Sequence, residues 1–422
     1  MKSYRKIEWT KLDNASKIFP SVANINDAKV FRVSCELYEN IDPIFLQKSL
    51  DLTMESFPFY NSVLRRGAFW YYFENSNIQP RVEIESKSIC APIYLKNKRN
   101  LLFRVSHFNN RINLEVFHAL SDGAGALWFI ETLIFHYIIL KYGNLLEGHI
   151  PNLDYRASMS QKASDSFKKN YHKNIGNRIK KRTEKIKAYQ IKGTRLDEKR
   201  MKVIEGSMSV KDILYISHEY ETTLTVFLTS LFLYSIYKDM PVSKRNLPVV
   251  LSVPINLRKY YDSATARNFF STMNISYNFE KDSSDIKDII RAVDSTFKEN
   301  LTKEEIDFKL FKFMSLESNS LARVVPLPIK DISLKLADKI NDRGITTSIS
   351  NIGRINVPPE IKKYIKQFSV SVSAKMPKIT LCSFEDRMVI TFTSPFKETD
   401  IQRTFFQFLS DKGLEIEISS ND

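Results

Sequence analysis

The sequence predicts an α/β (α+β) fold in two lobes, each a mixed sheet packed with helices, the two facing a shared cleft. Three observations predict it. Runs with strand alternation interleave with runs of helical spacing along the whole chain. That pattern occurs twice, on either side of a hydrophilic, strongly basic segment at 161–202. The chain, at 422 residues, also exceeds what one hydrophobic core usually serves, so two domains are expected. The boundaries drawn on this basis are a first lobe at 1–160, a basic crossover linker at 161–202 and a second lobe at 203–422.

In the first lobe, 29–38 alternates as a strand, with Val30, Arg32 and Ser34 on one face and Phe31, Val33, Cys35 and Leu37 on the other. Ile44, Phe45, Leu50, Leu52 and Met54 give 42–56 helical spacing. Strands follow at 69–74, 101–108 and 111–117, and a helix at 124–142 closes the lobe. In the second, a strand at 202–208 leads to Ser209 and Asp212, a helix start resembling a capping box. The helix at 223–237 is apolar almost all round and must be buried. Strands are predicted at 247–253, 270–279, 346–350, 367–374, 379–384 and 388–393. Helices are predicted at 284–299, 303–315, 329–340 and 400–409. No short repeat is visible, which excludes a solenoid.

Hydrophobic residues make up 43% and aromatics 12% of the chain, ample for packed cores. Residues 1–11 are polar and charged, unlike a secretory signal. The longest apolar stretch, 127–140, is broken by Glu131 and His136 and reads as a core helix too short to span a bilayer. No transmembrane segment is therefore expected. Cys35, Cys90 and Cys382 are widely separated and form no metal or redox pair, which fits a cytoplasmic location and no metal site. The net charge is +15, but its distribution argues against nucleic acid. Residues 162–202 hold about 15 Lys/Arg against about 4 Asp/Glu, with few interleaved aromatics. The segment reads as a solvated, partly helical linker; the functional alternative is attraction of a phosphate-bearing molecule or an acidic carrier protein.

One stretch stands out for chemistry: Phe117-His118-Ala119-Leu120-Ser121-Asp122-Gly123-Ala124-Gly125-Ala126. A strand delivers a histidine to its end, an aspartate follows four residues later, and a helix begins. Histidine, with an unperturbed pKa near 6.5, is suited to taking a proton at neutral pH. His118 is thus a candidate general base on a rigid edge. The plainer reading makes Asp122 a helix cap and His118 a satisfied core residue. His107 and His218 lack any partner pattern.

His118-Ala-Leu-Ser-Asp122-Gly123 resembles the HxxxDG motif of the chloramphenicol acetyltransferase-like acyltransferases. Three further segments fall in the same order as in that superfamily. Trp9-Thr-Lys-Leu12-Asp13-Asn14-Ala15 with Phe19-Pro20 is similar to the opening of bacterial alcohol acetyltransferase-like proteins. Val253-Pro254-Ile255-Asn256-Leu257-Arg258 resembles a V-P-x-N-x-R segment, and Ser350-Asn351-Ile352-Gly353 an S-N-x-G turn. Two departures are visible. Phe117 stands where condensation domains and wax synthases carry a first of two adjacent histidines, and the DFGWG motif of the plant branch is missing.

The resemblance implies two lobes with an active-site tunnel between them. It implies transfer of an acyl group from a thioester to an alcohol or amine, both reactants being held together. The donor would be acyl-CoA, or acyl-phosphopantetheine on an acyl carrier protein, used as co-substrate with no cofactor bound permanently. His118 would be the base, with Asp122 and Gly123 completing the motif. Asp122 would point away from the imidazole and pair with an arginine of the other lobe, for which Arg258 is the candidate. Ser348, Ser350, Asn351, Asn256 and Asn268 are candidates for oxyanion or substrate contacts. A non-catalytic binding protein of the same fold is the reading from a different class.

Overall fold

The computed structural model describes residues 9–143, 157–171, 187–318 and 324–421. Its first half runs β1 (Trp9–Lys11), β2 (Val30–Leu37), α1 (Pro43–Ser56), β3 (Ser62–Arg66), β4 (Tyr71–Asn75), β5 (Val82–Ile84), β6 (Phe103–Phe108), β7 (Arg111–Phe117) and α2 (Gly123–Tyr142). The second half runs β8 (Lys202–Ser209), α3 (Val210–Glu219), α4 (Leu224–Asp239), β9 (Val249–Asn256), β10 (Phe270–Tyr277), α5 (Ile286–Asn300), α6 (Lys303–Ser318) and α7 (Leu327–Asp342). It ends with β11 (Thr347–Ile355), β12 (Ile365–Val372), β13 (Lys378–Phe384), β14 (Arg387–Ser394), α8 (Asp400–Asp411) and β15 (Glu417–Ser420).

The strands form three sheets: β1-β4-β3, β12-β2-β7-β6-β5 and β10-β9-β11-β13-β14-β8-β15. The five-stranded and seven-stranded sheets are the backbones of the two lobes, each with its own apolar core. One strand crosses the division drawn from sequence. β12, from the half placed at 203–422, pairs antiparallel with β2 from Ile365↔Leu37 to Val372↔Phe31 and forms an edge of the first lobe's sheet. β2 is therefore an interior strand, between β12 and β7. Its polar face is buried as well: Arg32 pairs with Glu115 and Glu85, and Ser34 Oγ donates to Asn113 Oδ1 at 2.7 Å. Buried charges must be paired in this way.

Local chemistry sets the helix starts. Asp42 accepts from the N–H groups of Ile44 and Phe45 and opens α1 at Pro43. Ser209 accepts from Asp212 N–H and Thr223 from Val226 N–H, capping α3 and α4. The stretch read as too short for a membrane is a 20-residue helix of mean hydropathy 1.6, which meets the length and apolarity of a span. α2 is nonetheless packed inside the first lobe, where Phe129, Ile130, Leu133, Ile134 and Tyr137 are all fully buried.

The basic segment is not simply solvated. Residues 172–186 lie outside the described part, but both flanks are anchored. Phe167 is buried edge-on against Phe269 at 5.1 Å. Lys162 sits 4.4 Å over the Phe57 ring and its carbonyl accepts from Ala266 N–H at 2.8 Å. On the far side Tyr189 and Ile191 are buried in the second lobe's core.

Phe129 stacks on Tyr60 at 4.4 Å and touches Phe57 and Phe103, so the first core has an aromatic centre. Phe129→Ala should destabilise the protein by about 3–5 kcal/mol, measured as a lowered urea midpoint with the slope unchanged.

Candidate functional site

β7 ends at Phe117, and the next residue keeps the ladder, His118 N–H donating to Lys29 carbonyl at 2.8 Å. The chain then turns, Leu120 N–H bonding back to the Phe117 carbonyl, and Asp122 opens α2 by accepting from Gly125 N–H at 3.0 Å. The capping role of Asp122 is thus present, but it is one of several. Opposite this turn stands the connection between β9 and β10, residues 257–269, which reaches from the second lobe to the first.

Arg258, from that connection, grips Asp122 with two nitrogens: Nη1 donates to Oδ2 at 2.8 Å and Nη2 to Oδ1 at 3.1 Å. Phe269 N–H donates to Oδ2 at 2.8 Å. Arg258 also donates to the carbonyls of Thr265 and Arg267, which folds the connection around its guanidinium. The two side chains are 7% and 6% exposed, so the pair is effectively dry. A two-pronged guanidinium–carboxylate contact is among the stronger charged hydrogen bonds. Next to it, Ser121 Oγ donates to Ala266 carbonyl at 2.6 Å. Any Cβ on Gly125 would land within the radius of the Ala266 carbonyl oxygen, so only glycine lets the two backbones approach here. Gly123 is less demanding; a Cβ there would meet the end of the Ile352 side chain at 3.1 Å.

The imidazole of His118 is half-buried between lobes. Phe19 stacks on it at 4.5 Å with a 17° tilt, Phe31 meets it edge-on and Phe270 lies at 5.4 Å. Its Nδ1 is 3.0 Å from Asn268 Oδ1. The orientation of that amide follows from its nitrogen, which donates to Ser16 Oγ at 3.0 Å and His118 carbonyl at 2.9 Å. The oxygen therefore faces the ring, and Nδ1 carries the hydrogen. Nε2 is left with the lone pair, the tautomer a base requires. Burial pushes the imidazole below its ordinary pKa, against the opposing pull of Asp122 and Asn268.

Three of the sequence-derived candidates have partners within the protein. Asn268 bonds to the imidazole, to the His118 carbonyl and to Ser16. Asn256 accepts from Arg258 N–H at 3.1 Å and caps the turn at 257–259. Asn351 is exposed and spans a β-bulge, its Oδ1 accepting from Gly353 N–H at 2.9 Å and its Nδ2 donating to Thr225 Oγ1. Gly353 has φ of 94°, which accounts for the glycine in that turn. Ser350 is half-buried on β11. Of the five, Ser348 lines the cleft, directly beside Ser252 in the β11–β9 register.

The cleft holds a cavity of about 700 Å³ walled by both lobes, with Phe19, Val22 and Lys29 on one side and Ser252, Phe270 and Ser348 on the other. Phe19 and Phe270, the rings that flank His118, form part of that wall. A second cavity of about 850 Å³ shares Val22, Asp338, Asp342 and Lys375 with the first. Ser16 and Ala266 carry no signal in the sequence, and Phe31 shows there only as part of a strand face. Phe19 lies in the opening segment that resembles alcohol acetyltransferase-like proteins, which is its signal in the sequence.

Compared by sequence, the chain matches no family model and no curated protein. Compared by structure, it is similar to polyketide synthase associated protein 5 from Mycobacterium tuberculosis. That pair is 12% identical, with a TM-score of 0.61 over 95% of this chain and 96% of the other. TRI101 of F. graminearum, solved with coenzyme A and T-2 mycotoxin, is 10% identical with a TM-score of 0.64 over 97% and 99%. The first condensation domain of the CDA synthetase is 12% identical with a TM-score of 0.58 over 91% of each chain.

Breaking the Asp122–Arg258 pair should destabilise the protein by about 3–5 kcal/mol, because the partner is left buried and charged. In a double-mutant cycle read by urea unfolding, Asp122→Ala with Arg258→Ala should lose clearly less than the sum of the single variants. The chain shares, over nearly its whole length, the fold of TRI101, of a trichothecene 15-O-acetyltransferase and of a condensation domain.

Proposed function

We propose that this chain is an acyltransferase that moves an acyl group from a thioester donor, acyl-CoA, to an alcohol or amine, with His118 as general base. The observation that carries the reading is the tautomer of His118: Asn268 holds the hydrogen on Nδ1 and so keeps Nε2 as the acceptor. A neutral imidazole of this kind between two lobes, next to a cavity of small-molecule size, is arranged for proton transfer.

The acceptor's O–H or N–H gives its proton to Nε2 while its lone pair attacks the thioester carbonyl carbon. The tetrahedral oxyanion collapses, the C–S bond breaks, and the imidazolium returns the proton to the departing thiolate. Ser348 is the candidate oxyanion donor that lines the cleft. Asp122 and Arg258 act at a distance from the proton: they hold the 118–125 turn and the 257–269 connection in one register. Lodging of neighbours in the same fold class with coenzyme A supports a coenzyme A thioester as donor. The likeness to condensation domains supports a carrier-bound acyl group as the second donor.

Thioester consumption with purified protein, read by thiol release, tests the reading. His118→Ala should lower kcat by about 10²–10⁴; equal rates in wild type and variant would remove His118 as the base. The pH profile gives a second test. Because burial lowers the pKa of His118, activity should already be on its plateau at neutral pH and fall only as pH drops below the ordinary histidine value. Asn268→Asp sets a carboxylate against Nδ1–H, stabilises the imidazolium and should move that acid limb to higher pH. A merely structural Asn268 would leave the limb in place.

A further inference from the structure

α7 carries its amphipathic pattern the wrong way out for a helix on a water-soluble surface. Its acids face the protein: Asp331 accepts from Ser21 Oγ at 2.6 Å and Tyr71 O–H at 3.0 Å, and Asp342 holds Lys375 at 2.6 Å. Four of its aliphatic residues face outward, while Leu327 is buried. Ile329, Ile332, Leu336 and Ile340 follow the three-and-four spacing of one helix face, and they are 54%, 68%, 59% and 46% exposed. Two loop residues, Ile25 and Leu95, are 60% and 42% exposed as well, and both line the second cavity together with Lys335 and Lys339 of α7.

The charge around this patch is mainly positive. Lys96, Lys98, Lys335 and Lys339 line the same cavity, are exposed and make no ion pair among the described residues. The two acids in that wall, Asp338 and Asp342, are taken up by Lys375. The result is an exposed aliphatic stripe bordered by lysines that line the second cavity, which shares four wall residues with the cleft.

We propose that this surface docks the protein on an anionic lipid bilayer, with α7 lying in the plane of the interface and the second cavity turned to the lipid. An interfacial helix buries an aliphatic stripe at the headgroup boundary while lysines beside it reach anionic headgroups. The composition favours lipid over a protein partner. Protein interfaces gather Tyr, Trp, Met and Arg and are poor in Lys, whereas this patch is Ile, Leu and Lys. The proposal is independent of acyl transfer, since it concerns where the cleft opens and not what happens inside it. It gives an apolar substrate a route into the cleft that does not cross water.

Sedimentation of the full chain with sucrose-loaded vesicles tests it, using phosphatidylcholine alone and phosphatidylcholine with about 30% phosphatidylglycerol. The expected result is binding to the anionic vesicles, weakened at least about tenfold by Ile332→Glu with Leu336→Glu. Lys335→Ser with Lys339→Ser should reduce the preference for anionic over neutral vesicles and flatten its salt dependence. Ile25→Ser with Leu95→Ser is a second apolar pair on loops, for use if the helix variant unfolds; thermal unfolding checks each protein. No binding to anionic vesicles, or equal binding by wild type and both apolar variants, overturns the proposal. So does self-association that the variants abolish without vesicle binding, which would assign the stripe to a second copy of the chain.

Discussion

The buried contact between Asp122 and Arg258 is the constraint on which the rest of the site depends. A carboxylate and a guanidinium that are both nearly dry are tolerated only as a matched set, and here the set spans the two lobes. Asp122 uses its remaining capacity on Gly125 and Phe269 N–H, so one side chain fixes the start of α2 and the last residue before β10. The contact between Gly125 and the Ala266 carbonyl follows from the same closure. Once the connection at 257–269 is drawn in, Asn268 reaches the imidazole and Ser16 together.

His118 is therefore set by elements far apart in the chain. β7 supplies its backbone, the opening segment supplies Phe19 and Ser16, and the second lobe supplies Asn268 and Phe270. Aromatic walls make the ring partly dry and lower its pKa, while the amide chooses its tautomer. Each effect alone leaves an ordinary histidine. Together they leave one basic nitrogen on a ring whose flanking side chains, Phe19 and Phe270, wall the cavity.

Much of this was legible in the sequence, for identifiable reasons. The long helices and most strands carry clean periodicity, and Asp42, Ser209 and Thr223 mark their helix starts by chemistry that acts within four residues. Short strands such as β1, β5 and β15 lack the length to show a period. β12 shows the deeper gap: its side chains announce a buried strand but carry no label for the sheet that receives it. For β2, alternation named Arg32 and Ser34 as one face, but whether that face is wet depends on Glu115 and Asn113, some 80 positions away. In the site, Asn268 could be singled out as a polar residue of interest. Its role could not, because the direction of its amide is set by Ser16, 252 positions earlier. Asn256 and Asn351 fit a substrate-contact pattern by type, yet both answer to a local turn or bulge.

The exchange of β12 has a consequence for how the chain comes to be. A growing polypeptide that has reached residue 200 already holds β2, β6 and β7, yet the rim of β2 that awaits Ile365–Val372 is still bare. Such an unsatisfied rim is a template for stray pairing. The first lobe's sheet thus receives its last strand only after β8 to β11 of the second lobe have been made.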